Sequence, residues 1–283
     1  MAFPLAVPAG LVRHQTDRYV LLHGDCLEVL AALQATHPAG AVPLIFADPP
    51  YNLSNDGITC QAGRMVSVNK GAWDRSAGVE NDHQFHLAWL AACRRVLTPD
   101  GSLWVSGTRH VIFSAGFAMQ ELGYRLLNEI TWFKPNAAPN LSCRYFTHSH
   151  ETLLWAARDE RSKHTYNYAA MKAQAGGKQM RSVWPDIPVE DEPQDIWVIP
   201  TPRRSEKAHG KHPTQKPLAL MRRIVEASSH AGDVVLDPFS GSGSTGVAAL
   251  ELGRFYIGIE QDPAYLELSR RRLDAALAAP APG

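Results

Sequence analysis

Residues 44–51 read Leu44-Ile45-Phe46-Ala47-Asp48-Pro49-Pro50-Tyr51, an apolar run that ends in an acid, two prolines and a tyrosine. The apolar run is too short for a helix and predicts a buried strand. Because proline cannot continue a central strand, the strand must end at the acid. Open α/β sheets place their sites at the carboxyl ends of strands, so the pattern predicts that Asp48 faces a site.

The four residues after this strand suit a flat ring that carries an amino group. The carboxylate of Asp48 and the carbonyl of Pro49 are two acceptors for the two N–H groups, and Pro50 stiffens the backbone. The Tyr51 ring offers a face for stacking. We therefore predict that Asp48, Pro49, Pro50 and Tyr51 are catalytic. The alternative is that Asp48 caps a turn and Tyr51 fills the core.

A second predicted strand end lies far down the chain, in the sequence Asp237-Pro238-Phe239-Ser240-Gly241-Ser242-Gly243-Ser244-Thr245-Gly246. Three glycines satisfy G-x-G-x-x-G between a strand and a helix, and Glu260 follows about 20 residues on, which is the dinucleotide fingerprint. Few residues follow Gly246, so a dinucleotide fold that began here would lack its later strands. The N-terminal strands must complete the sheet, with the nucleoside-binding half last and the catalytic half first.

Composition narrows the class of protein. The chain has 283 residues, and its 28 Lys and Arg balance its 28 Asp and Glu, so a nucleic-acid site must be a local patch. The scattered cysteines argue against a zinc site or a disulfide framework and favour a reducing cytoplasm; they are Cys26, Cys60, Cys93 and Cys143. The His148-x-His150 pair has no third ligand nearby, so no metal is predicted. No apolar run approaches membrane-spanning length.

Strand and helix patterns alternate along the chain, which predicts a largely parallel α/β sheet. The predicted strands are 18–23, 43–47, 102–106, 126–133, 151–157, 233–236 and 255–259. The predicted helices are 27–33, 85–97, 111–122, 218–228, a helix that ends at 252, and 263–275. Residues 52–82 show little periodicity and predict a long loop beside the site.

The order of these motifs resembles the β-class DNA amino-methyltransferases over most of the chain. Supporting segments are Gly24-Asp25-Cys26-Leu27-Glu28, Glu129-Ile130-Thr131-Trp132-Phe133-Lys134-Pro135-Asn136, Glu151-Thr152-Leu153-Leu154-Trp155 and Lys211-His212-Pro213-Thr214-Gln215-Lys216-Pro217. The resemblance implies a Rossmann-like methyltransferase fold, a mixed seven-stranded sheet with helices on both faces, in circularly permuted motif order. It implies S-adenosylmethionine as methyl donor and requires no metal.

The resemblance also assigns the donor site. Asp25 would contact the adenine end of the donor, and Glu260 its ribose. Residues of the glycine loop would line the methionine part, and two residues of the preceding segment would close the opposite side. These positions are Asp237, Phe239, Ser240, Gly241, Gly243, Ser244 and Thr245 in the loop, and Thr214 and Lys216 opposite.

Double-stranded DNA is the implied partner, and a homodimer is common in such a family. The target base must flip out of the duplex to reach Asp48 and stack on Tyr51. Basic and aromatic residues interleave in residues 158–212, as on nucleic-acid surfaces, although a solvated linker explains the same composition. The predicted DNA contacts are Arg144, Arg203, Arg204 and Lys207.

The predicted organisation is one methyltransferase domain in two halves. Residues 1–157 form the catalytic half, 158–212 the target-recognition segment, 213–277 the donor-binding half and 278–283 a disordered tail. Alternatives are an RNA or protein methyltransferase, or a non-catalytic nucleic-acid-binding module on the same fold. The target atom stays open between N6 of adenine and N4 of cytosine, with Asp48 favouring adenine slightly.

Overall fold

The computed structural model describes residues 2–54, 56, 58–61, 64–67, 69–71, 74–134, 137, 139–182, 197–198, 201–202, 204–210 and 212–279. The strands are β1 (Val12–Gln15), β2 (Tyr19–His23), β3 (Val42–Ala47), β4 (Ile58–Gln61), β5 (Arg64–Ser67), β6 (Leu97–Gly107), β7 (Arg125–Phe133), β8 (His150–Ala157), β9 (Trp197–Val198), β10 (Val234–Asp237) and β11 (Phe255–Glu260). The helices are α1 (Cys26–Thr36), α2 (Val79–Val96), α3 (Ile112–Glu121), α4 (Tyr168–Gln174), α5 (Leu218–Ser228), α6 (Ser244–Glu251) and α7 (Pro263–Ala278).

The main sheet contains nine strands in the order β1-β2-β11-β10-β3-β6-β8-β7-β9. Among the seven inner strands only β8 runs antiparallel to its neighbours. The predicted mixed seven-stranded sheet is therefore confirmed. The structure adds the short β1 at one edge and the two-residue β9 at the other.

Helices cover both faces of this sheet, as predicted. Residues of α1, α2 and α3 join one buried cluster, and residues of α5, α6 and α7 join the other. Strand β3 contributes to both, because Ile45 and Ala47 point into the first cluster while Leu44 and Phe46 point into the second. A strand covered on both faces reads as a continuous apolar run, which explains the sequence before Asp48.

The permuted order places the last strands of the chain in the middle of the sheet. Strand β10 pairs in parallel with β3 on one side and with β11 on the other. From β3 the chain continues to β6 in one direction, and from β10 it continues to β11 in the opposite direction. Such a reversal opens a crevice at the carboxyl ends of the two strands.

Two predicted boundaries are wrong. Residues 52–82 are not one loop, because they include the hairpin of β4 and β5 and the start of α2 at Val79. The first turn of α2 carries Glu80 and Asp82, so apolar periodicity could not reveal it. Strand β6 begins at Leu97, before the turn signal at Pro99, and its register shifts there, which lets a proline be accommodated.

The predicted target-recognition segment is described only in part. Helix α4 packs on α5, and Asn167 Nδ2 donates to the carbonyls of Glu226 and Ser229 at 2.6 and 2.8 Å. This part therefore packs against residues 218–229. Residues 183–196, 199–200, 203 and 211 lie outside the described residues, and so does the tail from 280. The domain division stays a prediction, as does the cytoplasmic location; within the described ranges no helix could cross a membrane.

Candidate active site

A cavity of about 240 Å³ opens at the carboxyl ends of β3 and β10. Most of the predicted catalytic and donor-binding residues line it: Asp25, Asp48, Pro49, Pro50, Tyr51, Thr214, Lys216, Asp237, Phe239, Ser240, Gly241, Ser244, Thr245 and Glu260. Gly243 does not line it. Gly243 is the N-cap residue of α6 and has a φ of 71°. A side chain at this position would collide with Ser269 of α7.

Both carboxylate oxygens of Asp48 are held. The Tyr51 hydroxyl donates to Oδ1 at 2.6 Å, and the Lys216 ammonium donates to Oδ2 at 2.5 Å. The Asp48 side chain is 13% exposed and that of Lys216 is 6% exposed. Burial raises the pKa of Asp48, and the Lys216 ammonium opposes that shift. Lys216, predicted to close the donor pocket, thus binds Asp48, the predicted catalytic acid.

A second buried acid, Glu151, completes this cluster. Its Oε2 lies 3.1 Å from the Tyr51 hydroxyl and 3.7 Å from Lys216 Nζ, and its Oε1 forms an ion pair with Lys134. The Ser106 hydroxyl lies 2.8 Å from that of Tyr51. The two ammonium groups lower the pKa of Glu151, although burial raises it.

Sequence reasoning missed the roles of Glu151, Lys134 and Ser106. Strand β8 is antiparallel, so its beginning meets the edge where the parallel strands end, and Thr152 pairs with Gly107 at the end of β6. An acid at the start of an otherwise apolar strand was the available signal. The sequence does not show that this strand runs antiparallel to its neighbours, so it could not show that the acid lies at the site.

Asp237 ends β10 and organises the glycine loop. The Thr245 hydroxyl donates to Oδ2 at 2.6 Å and the Phe239 N–H donates to Oδ1 at 2.9 Å. Burial raises the pKa of Asp237 to about 7. The carboxyl group therefore ties the loop to the first turn of α6.

Glu260 binds the loop from the next strand. Its two oxygens accept the N–H groups of Gly241 and Asp262, each at 2.8 Å. A carboxylate oxygen has two lone pairs, so each can accept one more hydrogen bond. Gly241 has a φ of 50°, and a Cβ there would lie 3.1 Å from the His212 ring, which explains the glycine.

Asp25 lies on the cavity wall and also caps α1. Its Oδ1 accepts the N–H groups of Leu27 and Glu28 at 2.8 and 3.4 Å. A helix N-cap prefers such a side chain, so the residue has a structural role as well as the predicted donor contact. The donor contact stays a prediction.

The opposite wall contains His212, Thr214 and Gln215. Burial, Lys216 and Arg272 lower the pKa of His212 to about 4, so its ring is neutral at neutral pH. Gln215 is buried, and its Oε1 has no hydrogen-bond partner within the described part of the chain. Together with Glu260 and the Phe239 ring, these groups match a ligand that has hydroxyl, amino and aromatic parts. The residues present fit S-adenosylmethionine.

Two of the predicted DNA contacts, Arg144 and Lys207, do not line the cavity. Arg144 lies on an exposed loop in which Asn140 Nδ2 donates to the Tyr145 carbonyl at 2.6 Å. Lys207 ends a short 3₁₀ helix. Arg203 and the side chain of Arg204 lie outside the described residues. The described ranges contain no group of three His, Cys, Asp or Glu that could hold a metal.

Comparisons with known proteins identify the family. The sequence model of the N6/N4 DNA methylase family matches residues 42–271. The chain is 45% identical over 263 residues to the type II methyltransferase M2.DpnII of Streptococcus pneumoniae, covering 93% of this chain and 92% of that protein. It is 45% identical over 262 residues to M2.LlaDCHI of Lactococcus lactis subsp. cremoris, covering 92% and 91%.

Solved structures show the same fold. The complex of M1.HpyAVI with S-adenosylmethionine superposes with a TM-score of 0.64 at 25% identity, covering 90% of this chain and 99% of that one. PvuII DNA methyltransferase, described as cytosine-N4-specific, superposes with a TM-score of 0.66 at 19% identity, covering 91% and 87%. At that identity the second likeness concerns the fold alone.

The fold is an α/β fold with a cavity at the carboxyl ends of its central parallel strands, and a buried carboxylate lines that cavity. The chain belongs to the DNA methylase family that modifies exocyclic amino groups. It is a site-specific, S-adenosylmethionine-dependent DNA methyltransferase, which confirms the predicted family, fold, donor and reaction. The choice between N6 of adenine and N4 of cytosine stays open.

Proposed function

We propose that Asp48 and the Pro49 carbonyl accept the two N–H groups of the target base within reach of the donor. One observation carries this proposal: a single cavity is lined by both Asp48 and the glycine loop that ends at Thr245. When bound, S-adenosylmethionine supplies an electrophilic methyl group on sulfur. Glu260 would hold its ribose, Phe239 and Gly241 its methionine part, and Asp25 its adenine end.

The chemistry of the amino group explains the need for two acceptors. Its lone pair is delocalised into the ring, and accepting both N–H groups moves the nitrogen toward a tetrahedral shape. Transfer of the methyl group from sulfur to this nitrogen would leave the nitrogen with an excess proton, which Asp48 would accept. The nitrogen becomes acidic only as the methyl group arrives, so positioning and electrostatics supply most of the rate.

Tyr51 is the proposed stacking surface for the flipped base. Its ring is largely buried, and its hydroxyl fixes the ring plane by donating a hydrogen bond to Asp48 and lying 2.8 Å from the Ser106 hydroxyl. Lys216 Nζ lies 4.9 Å from the ring centroid and covers part of it. A base inside a duplex cannot reach this cavity, so flipping must precede transfer.

The proposed target atom is N6 of adenine. The support is the acid at position 48, because the resemblance associates Asp with adenine and Ser with cytosine at this place. Methylation of unmethylated DNA, digestion to nucleosides and mass spectrometry test the proposal. N6-methyladenine is expected, whereas N4-methylcytosine would reassign the base and keep the amino chemistry.

Methylation of carbon 5 of cytosine would overturn the proposed role of Asp48. That reaction needs a covalent cysteine nucleophile, usually one that follows a proline. None of the four cysteines in the sequence follows a proline. The same mass-spectrometric experiment detects 5-methylcytosine directly.

Double-stranded DNA is the proposed substrate form, bound by Arg144, Lys207 and residues 158–212. The loop with Arg144 also presents Tyr145 and Phe146, which are 57% and 95% exposed. Basic and aromatic side chains on one exposed loop suit phosphates and bases. A homodimer is proposed from the family resemblance, and sedimentation of the purified protein tests it.

A further inference from the structure

We propose that Glu151 is a positioning residue for methyl transfer, because it pairs with Lys216 and lies against the hydroxyl of Tyr51, the two groups that fix the carboxylate of Asp48. The inference rests on the role proposed above for Asp48. Glu151 is 7% exposed and lies at the start of β8. Its Oε2 contacts the Tyr51 hydroxyl at 3.1 Å and Lys216 Nζ at 3.7 Å. These are the groups that bind Oδ1 and Oδ2 of Asp48.

Glu151 is itself anchored from two other strands. Lys134, which follows the end of β7, forms an ion pair with Oε1. Ser106 of β6 places its hydroxyl 3.4 Å from Oε2 and 2.8 Å from the Tyr51 hydroxyl. Residues from β6, β7 and β8 therefore determine where the Asp48 carboxylate points, although Asp48 follows β3.

The charges of this cluster balance. Two carboxylates, Asp48 and Glu151, face two ammonium groups, Lys134 and Lys216, in a largely buried space. Lys216 is shared, so it does not neutralise Asp48 alone, and Asp48 retains negative charge for the amino group. Asp237 is the further acid whose charge acts on Lys216 and Asp48.

The first test variant is Glu151→Gln, which keeps the shape and removes the charge. We expect single-turnover transfer from tritiated S-adenosylmethionine to unmethylated genomic DNA to fall on the order of 100-fold, as a misplaced reacting group can cost. The dissociation constants for donor and DNA should not change. Removing a like charge lowers the pKa of Asp48, so the acid limb of the pH–rate profile should move to lower pH. A merely structural defect would lower the rate without moving that limb.

A charge-balanced control separates positioning from simple neutralisation. Lys134→Met combined with Glu151→Gln removes one cation and one anion together. If Glu151 serves only as the counter-ion of Lys134, this double variant regains the wild-type rate and pH profile, which would overturn the proposal. We expect it to stay slow, with its acid limb still displaced.

Folding is monitored by thermal melting of each variant, because Glu151→Gln alone leaves a buried ammonium group without its partner. Should that variant not fold, the double variant and Glu151→Asp decide. Glu151→Asp keeps the charge and shortens the reach, so a wild-type rate in it would also overturn the proposal. Asp48→Ala is measured beside them. Transfer retained in Asp48→Ala would remove the role of Asp48 itself, whereas an inactive Asp48→Ala beside a fully active Glu151→Gln would overturn the role of Glu151 alone.

Discussion

Two acids end neighbouring parallel strands in this protein, and their surroundings differ. Asp48 follows β3 and Asp237 ends β10, and each is followed by a proline. Asp48 binds the Lys216 ammonium and the Tyr51 hydroxyl. Within the described residues Asp237 has hydrogen bonds from neutral groups only. Similar local sequences thus produce one acid with a counter-ion and one without.

The two acids differ in their partners and therefore in the roles that we propose for them. The counter-ion beside Asp48 comes from a segment far away in the sequence, and it favours the charged form of Asp48, the form that the proposed reaction needs. Burial raises the pKa of Asp237 to about 7, although the hydrogen bonds from Thr245 and Phe239 oppose the shift, and these bonds hold the glycine loop in place. The two acids are therefore distinguished by Lys216, a partner distant in sequence that Asp48 has, whereas the partners of Asp237 are the residues of its own loop.

The largest effect on methyl transfer should come from removing Asp48, the acid proposed to accept the amino group of the base. Asp48→Ala should lower methyl transfer on the order of 1,000-fold or more, as loss of preorganised electrostatic groups does. Donor binding should stay intact, because Asp48 faces the base. Calorimetric titration of the donor beside a transfer assay checks this. Lost donor affinity with retained turnover would contradict the assignment.

Removing the counter-ion should make Asp48 resemble Asp237. Lys216→Met leaves a buried carboxylate unpaired, which costs about 3–5 kcal/mol of unfolding free energy at a pH where it is ionised. The pKa of Asp48 should rise, so the acid limb of the pH–rate profile should move to higher pH. Lys172→Met, an exposed lysine of α4, is the matched control and should behave as wild type. An unmoved limb would show that Lys216 does not set the charge of Asp48.

Asp237→Asn should reveal the cost of the missing counter-ion. An acid with a raised pKa in the folded state destabilises the protein once the unfolded chain ionises. The stability of the wild type relative to Asp237→Asn should therefore fall as pH rises from about 4 to about 7 and then level off. The change should be on the order of 2–4 kcal/mol, from about 1.36 kcal/mol per pKa unit. Urea unfolding of both proteins at pH 5 and pH 8 measures it, and equal differences would refute the raised pKa.

Glu260→Ala tests the donor half without touching either strand-end acid. It removes the proposed ribose contact, a charged hydrogen bond worth about 1.5–3 kcal/mol. The dissociation constant for S-adenosylmethionine should rise accordingly. The melting temperature of the Glu260→Ala variant is the control for damage to the glycine loop, because Glu260 also binds the N–H group of Gly241. An unchanged constant would leave Glu260 with a loop-holding role only.

The smallest effect should come from Arg144, which lies on an exposed loop away from Asp48 and Asp237. Arg144→Ala should weaken DNA binding and reduce the slope of log affinity against log salt by about 1, as loss of one phosphate contact does. Donor affinity should stay the same. A salt slope equal to that of the wild type would place the DNA surface elsewhere.

Local sequence was enough to predict both strand ends and the glycine loop. Apolar runs that stop at Asp48 and Asp237 are visible without the fold, and proline makes each stop unambiguous. The cluster around Glu151 was not predictable in the same way. It depends on β8 running antiparallel, and a strand of the same composition could run in either direction.

The pairing of Lys216 with Asp48 was not predictable from local sequence either. The sequence Thr214-Gln215-Lys216 indicated a residue of the donor pocket, and it does line the cavity. Its bond to Asp48 joins residues 168 positions apart. Such a contact follows from the permuted sheet order, which brings α5 and its preceding segment across β3.

The permuted order also has a consequence for folding. Strands β10 and β11 are synthesised after every other described strand, yet they occupy the gap between β2 and β3. Until they emerge from the ribosome, β2 and β3 each present an unpaired, apolar edge, which is the kind of surface that aggregates. The sheet closes by long-range pairing at the end of synthesis, a slow class of event. A premature stop before β10 would therefore leave the sheet without two of its central strands.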